Sequence, residues 1–122
     1  MKILNISWMD DEKKEGILSL ANGEETFQVY CYPCSFQIGD TIIRPLQTLQ
    51  DQNIIRVEGN GYTIQQIGDT FETRIIAKVE DKKNGIVSVN QIKMELDSDL
   101  PGDILEGETV SFETLRLTAR KT

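Results

Sequence analysis

The chain has 122 residues, enough for one ordinary domain or for two very small barrels that must lean on each other, because a unit below ~60 residues is marginal alone. Hydrophobic residues make up 39% and charged residues 27%, the balance of a soluble globular protein, and no apolar run approaches the ~20 residues that span a bilayer. Thirteen Lys and Arg against twenty Asp and Glu give a net charge of −7, which repels phosphate backbones and anionic membrane surfaces and sets both low among the expected partners.

The N-terminal stretch reaches Asp10-Asp11 after only a few apolar residues, too short for the apolar region of a secretory signal. The expected compartment is therefore the cytoplasm, where Cys31 and Cys34 remain thiols. Leu4, Ile6 and Trp8 alternate, which predicts a strand with Trp8 in the core. Asn22-Gly23, between apolar runs at 16–21 and 26–30, is a strong hairpin signal because both residues tolerate positive φ. In the second run Phe27, Val29 and Cys31 fall on one face, leaving Gln28, Tyr30 and Tyr32 on the other. Further strands are expected near 41–49, 53–58, 62–67, 71–80, 85–96 and 109–119, with Gly59-Asn60-Gly61 as a second reversal. No helical stripe is sustained anywhere, so the expected fold class is all-β, built as one or two small Greek-key barrels.

An internal similarity organises the chain. Residues 11–20 lie against 80–89 at an offset of 69, with Lys14-Glu15-Gly16-Ile17 against Lys83-Asn84-Gly85-Ile86, and five of the ten pairs are identical. Further on, Gly39-Asp40-Thr41-Ile42 lies against Gly107-Glu108-Thr109-Val110. A duplication gives a first unit at 1–52, a connecting hairpin at 53–70 and a second unit at 71–122. The competing reading is one barrel or sandwich over 1–122 with recurrent turn chemistry, since Gln37-Ile38-Gly39-Asp40-Thr41 recurs verbatim at 66–70, a spacing that fits no such duplication. Gly-Asp-Thr is in any case a good step into a strand, through a left-handed Gly, an Asp that bonds nearby N–H groups and a Thr that begins the pleat.

The run from Met94 through Asp97-Ser98-Asp99-Leu100-Pro101-Gly102-Asp103 to Gly107-Glu108-Thr109-Val110-Ser111-Phe112-Glu113 resembles the second half of cold-shock-like OB-fold domains, and 36–49 does so more faintly. That resemblance implies a five-stranded Greek-key barrel with a ligand face, usually for single-stranded nucleic acid. Such domains carry solvent-facing aromatics among basic residues on neighbouring strands, whereas the corresponding stretch 86–92 has no aromatic. The fold can carry over without the function.

With no His in the chain, Ser-His and Cys-His nucleophiles, a His base and His metal clusters are excluded. No Ser sits in a nucleophile elbow, and no Gly-rich phosphate loop precedes a helix. The expectation is a non-catalytic protein without a cofactor. Cys31-Tyr32-Pro33-Cys34 ends a strand, where a redox pair needs a helix N-terminus. Two thiols are only half of a zinc shell, so Cys31 and Cys34 would bind metal only when shared across a dimer. Asp97, Asp99, Asp103, Glu106 and Glu108 form an acidic stretch, read as a solvated loop or a docking surface for a basic partner. Tyr30, Tyr32 and Tyr62 are the candidate partner-binding residues, because Tyr adds contact area while its hydroxyl stays satisfied. The leading expectation is a protein-protein interaction or adaptor module. The alternatives are an OB-like binder of single-stranded nucleic acid or another polyanion, and a self-assembling subunit that pairs strand edges into a homo-oligomer.

Overall fold

A computed structural model of the chain describes residues 1–12 and 14–121. The described residues are all-β, in the order β1 (Ile3–Asp10), β2 (Glu15–Asn22), β3 (Glu25–Cys31), β4 (Leu46–Thr48), β5 (Gln52–Val57), β6 (Thr63–Gln66), β7 (Thr73–Asp81), β8 (Ile86–Val89), β9 (Ile92–Glu95), β10 (Thr109–Thr114) and β11 (Leu117–Thr118). All join one sheet whose path is β1-β2-β3-β11-β4-β9-β8-β7-β10-β5, with β6 on β7. The path does not close, because β1 stands at one end and β5 at the other.

Alternation produces the core. Leu18 and Leu20 of β2, Phe27, Val29 and Cys31 of β3, Ile75, Ala77 and Val79 of β7, and Val110 and Phe112 of β10 all point inward. Together with Leu46, Met94 and Leu117 they form one contiguous cluster drawn from both halves of the chain. The halves also exchange strands. β4 pairs in parallel with β9, β11 pairs in parallel with β3, and β4 and β11 pair antiparallel with each other between them.

The stretch 85–96 folds as a hairpin rather than one strand. Asn90, at φ 58°, opens the turn, and Val89 pairs with Ile92. Of the expected strand at 41–49, only 46–48 and a bridge from Thr41 to Lys2 form, since Pro45 has no N–H to offer a ladder. In the first hairpin Asn22 pairs with Glu25, so Gly23, at φ 65°, takes the first central position of the turn.

The Gly-acid-Thr steps show which sequence similarities carry structure. Ile3 N–H donates to Asp40 O at 2.8 Å and Gly39 N–H to Ile3 O at 2.9 Å; Val79 N–H donates to Glu108 O at 2.9 Å and Gly107 N–H to Val79 O at 2.8 Å. Gln37 N–H is capped by Asp40 Oδ2, as Leu105 N–H is by Glu108 Oε1. The verbatim copy at 66–70 makes none of these bonds. It closes the turn between β6 and β7, where Ile67 N–H reaches Glu72 O.

Candidate functional site

β1 does not follow simple alternation. Ile3 pairs with Leu20 and Asn5 with Ser19, so Leu4 is an extra residue bulged out of the ladder and largely exposed. The face turned to the core is therefore Ile3, Ile6 and Trp8, not Leu4, Ile6 and Trp8. Trp8 stands opposite Gly16, where a Cβ would lie 3.3 Å from Trp8 Cε3. Beyond this point the core runs out, and Trp8 is 41% exposed and Met9 54% exposed, which corrects the expectation of a core Trp. Lys14 Nζ lies 5.9 Å from the Trp8 ring centroid.

On the opposite face of the same end of the sheet, Tyr30 is held in place. Its Oη donates to Glu15 Oε2 at 2.6 Å, and the Arg116 guanidinium lies 4.1 Å from its ring centroid. β11 positions Arg116, because Thr118 pairs with Tyr30 and Ala119 N–H donates to Tyr30 O. The Glu15 carboxylate, accepting the hydroxyl proton, raises the Tyr30 pKa, with desolvation second. Tyr32, just past the strand, is 53% exposed. Tyr62 precedes β6 and packs partly buried against the core. The far end of that strand, Gln66, accepts from Gln28 N–H through Oε1. The three tyrosines thus hold three different positions.

Cys31 and Cys34 are both buried free thiols. Desolvation pushes the Cys31 pKa up, and the hydrogen bond with Cys34 adds to it. Both effects favour the thiol over the thiolate that redox or metal chemistry needs. Among the described residues no group of three or more His, Cys, Asp or Glu is placed to hold a metal ion.

The acidic stretch is threaded with cations and donors. Asp97 Oδ2 accepts Gln50 N–H, Glu106 Oε2 accepts Lys82 N–H, and Lys82 Nζ donates to Gly102 O. Arg56 lies 3.7 Å from Asp103 and 3.2 Å from Glu108. Asp99 lines an open depression of about 630 Å³ with Lys82, Lys83, Leu100, Leu105 and Glu106. The surface is of mixed charge.

Trp8, Met9 and Tyr32 are exposed at the end of the sheet where β1 is the terminal strand, and at the other end Ile55 of β5 is exposed as well. Sequence reasoning turned Tyr32 away from the core and put Trp8 inside; the bulge at Leu4 carries no sequence signal. Comparison with known proteins found no family model, curated protein or solved structure that matches the chain. No helix among the described residues is long and apolar enough to cross a membrane.

Proposed function

We propose that this chain is a non-catalytic protein-binding module that receives its partner at the exposed end of the β1-β2-β3 sheet. One observation carries this reading: a long terminal strand leaves Trp8 and Met9 in water beside its open edge. Large aromatic side chains concentrate binding energy at interfaces, and edge strands left this uncovered are unusual in proteins that pair with nothing. The buried free thiols suit a cytoplasmic chain without cofactor or metal.

The fold behind this surface is best read as two OB-like units, each completed by a strand from the other. The supporting observations are the matched bonds of Ile3 with Gly39 and Asp40 and of Val79 with Gly107 and Glu108, and the reciprocal pairings of β4 with β9 and β11 with β3. In that frame β4 and β5 together complete the second unit between β9 and β10.

The test is affinity purification from the native cell with the wild-type chain and with Trp8→Ser/Tyr32→Ser, each checked for an unchanged far-ultraviolet spectrum. A partner retained by the wild type and lost by the double variant is the expected result. Equal retention by both would remove the surface from consideration. A second reading has one observation in its favour: Tyr30 with Arg116 over its ring presents an aromatic and a cation together on the outward face of β3. It requires oligonucleotide binding that weakens steeply with salt. Glu15 beside that ring opposes it.

A further inference from the structure

We infer that Asn60 is a site of spontaneous covalent modification, at which the folded chain loses the side-chain amide and gains an aspartyl or isoaspartyl carboxylate. The other two Asn-Gly pairs of the chain, Asn22-Gly23 and Asn84-Gly85, are spared by the fold. The site is independent of the proposed binding surface, because Asn60 follows β5, at the opposite end of the sheet from β1. The reaction needs only water. The Gly61 backbone nitrogen gives its proton to solvent base and attacks Asn60 Cγ. The new N–Cγ bond closes a succinimide ring, the Cγ–Nδ2 bond breaks, and Nδ2 takes a proton from solvent and leaves as ammonia. Water then opens the ring at one of its two carbonyls. Opening at Cγ restores the main chain with an aspartyl side chain, and opening at the main-chain carbonyl leaves the chain running through Cγ as isoaspartyl. Nothing is oxidised or reduced. Gly is the residue that hinders such an attack least, since it carries no Cβ.

The three pairs are alike in sequence and differ in what holds them. Asn84 Nδ2 donates to Asp81 Oδ2 at 2.8 Å, and Gly85 N–H, the group that would attack, donates to Lys82 O at 3.2 Å. Gly85 O in turn accepts Leu96 N–H at 2.8 Å, which fixes the far side of that turn. Asn22 ends β2 in register with Glu25, and its Oδ1 accepts from Asn90 Nδ2 at 2.9 Å. Ring closure at either site must first break these bonds, so it waits for local opening. Asn60 and Gly61 are both exposed in the connection between β5 and β6, and among the described residues neither the Asn60 side chain nor the Gly61 amide makes a hydrogen bond. Their flanks are held. Gly59 O accepts Thr109 Oγ1 at 2.7 Å, and Tyr62 packs against the core. The freedom that the attack requires is thus confined to the two residues that react. The product adds a carboxylate two residues from Glu58, on a chain that already carries −7.

The test incubates the full chain, folded and in denaturant, in mildly alkaline buffer made with heavy-oxygen water, and follows the three pairs by peptide mapping and mass spectrometry. In the folded chain, conversion at position 60 with heavy oxygen incorporated is expected to run at least about tenfold faster than at Asn22 and Asn84, which react only through opened states. In denaturant the three rates should approach one another. Gly61→Ala adds its methyl where nothing lies within 4 Å, so it should slow conversion at position 60 severalfold and leave the unfolding midpoint in place. Equal rates at the three pairs in the folded chain overturn the inference. An Asn60 that converts in denaturant but not in the folded chain overturns it as well, as does conversion at position 60 that Gly61→Ala leaves unchanged.

Discussion

At the residue scale, burial decides what the polar and reactive groups can do. Cys31 and Cys34 have the spacing of a redox pair but the surroundings of core residues, with Cys31 beside Phe27 and Val29 on one inward face. A disulfide-exchange reagent at pH 8 should leave both thiols unmodified on the timescale that modifies them at once in denaturant. Rapid reaction in the folded state would contradict their placement. Tyr30 offers a second check. Its folded pKa is raised by the Glu15 carboxylate, so the folded state holds the hydroxyl proton more tightly than the unfolded chain does. Its contribution is fully present below the unfolded value near 10 and is lost as pH rises from there through the folded value. Tyr30→Phe should cost about 1 kcal/mol at neutral pH and remove a phenol step lying above the ordinary value from an alkaline absorbance titration. The inward Phe27, Val29 and Cys31 were legible in the sequence because side-chain period leaves no other choice. The Glu15 bond and the Arg116 contact were not, since each depends on which strands become neighbours.

At the scale of elements, the hairpins were legible and their exceptions were not. Asn22-Gly23 announces its turn through backbone freedom, and Gly23 does take the left-handed conformation. The strand at 85–96 reads as continuous because Asn90-Gln91 lacks the Gly that usually marks such a turn; Asn90 supplies the positive φ instead. The bulge at Leu4 was invisible for a related reason: an inserted residue shifts the face of everything after it without changing composition. The verbatim Gln-Ile-Gly-Asp-Thr repeat misleads, because five residues specify a turn whose role is set by what flanks it. The Trp8 and Gly16 pair gives this scale its test. Gly16→Ala places a methyl against a ring whose outer side is free to move, so the ring should swing outward. A red-shifted Trp emission with stability changed by no more than about 1 kcal/mol is expected. An unshifted spectrum would mean that Trp8 does not lie over Gly16.

At the scale of the molecule, strand exchange ties the halves into one unit. Neither half has a complete set of neighbours, since β3 needs β11 and β9 needs β4. Chemical and thermal unfolding should therefore follow one transition by every probe, and the isolated 1–69 segment should lack a cooperative transition. Two separated transitions would contradict the shared core. The sequence similarity at 11–20 and 80–89 pointed to two related units but could not show the exchange, because parallel pairing between β4 and β9 leaves no local pattern. The open edge of β1 lies outside this shared core. The most direct measurement of its role is site-specific photo-crosslinking in the native cell, with the reactive group at position 8 or at the exposed position 93 on β9. A discrete adduct with another protein from position 8 and none from position 93 is the expected result. Adducts from position 93 alone, or none from either, would contradict binding through this end of the sheet.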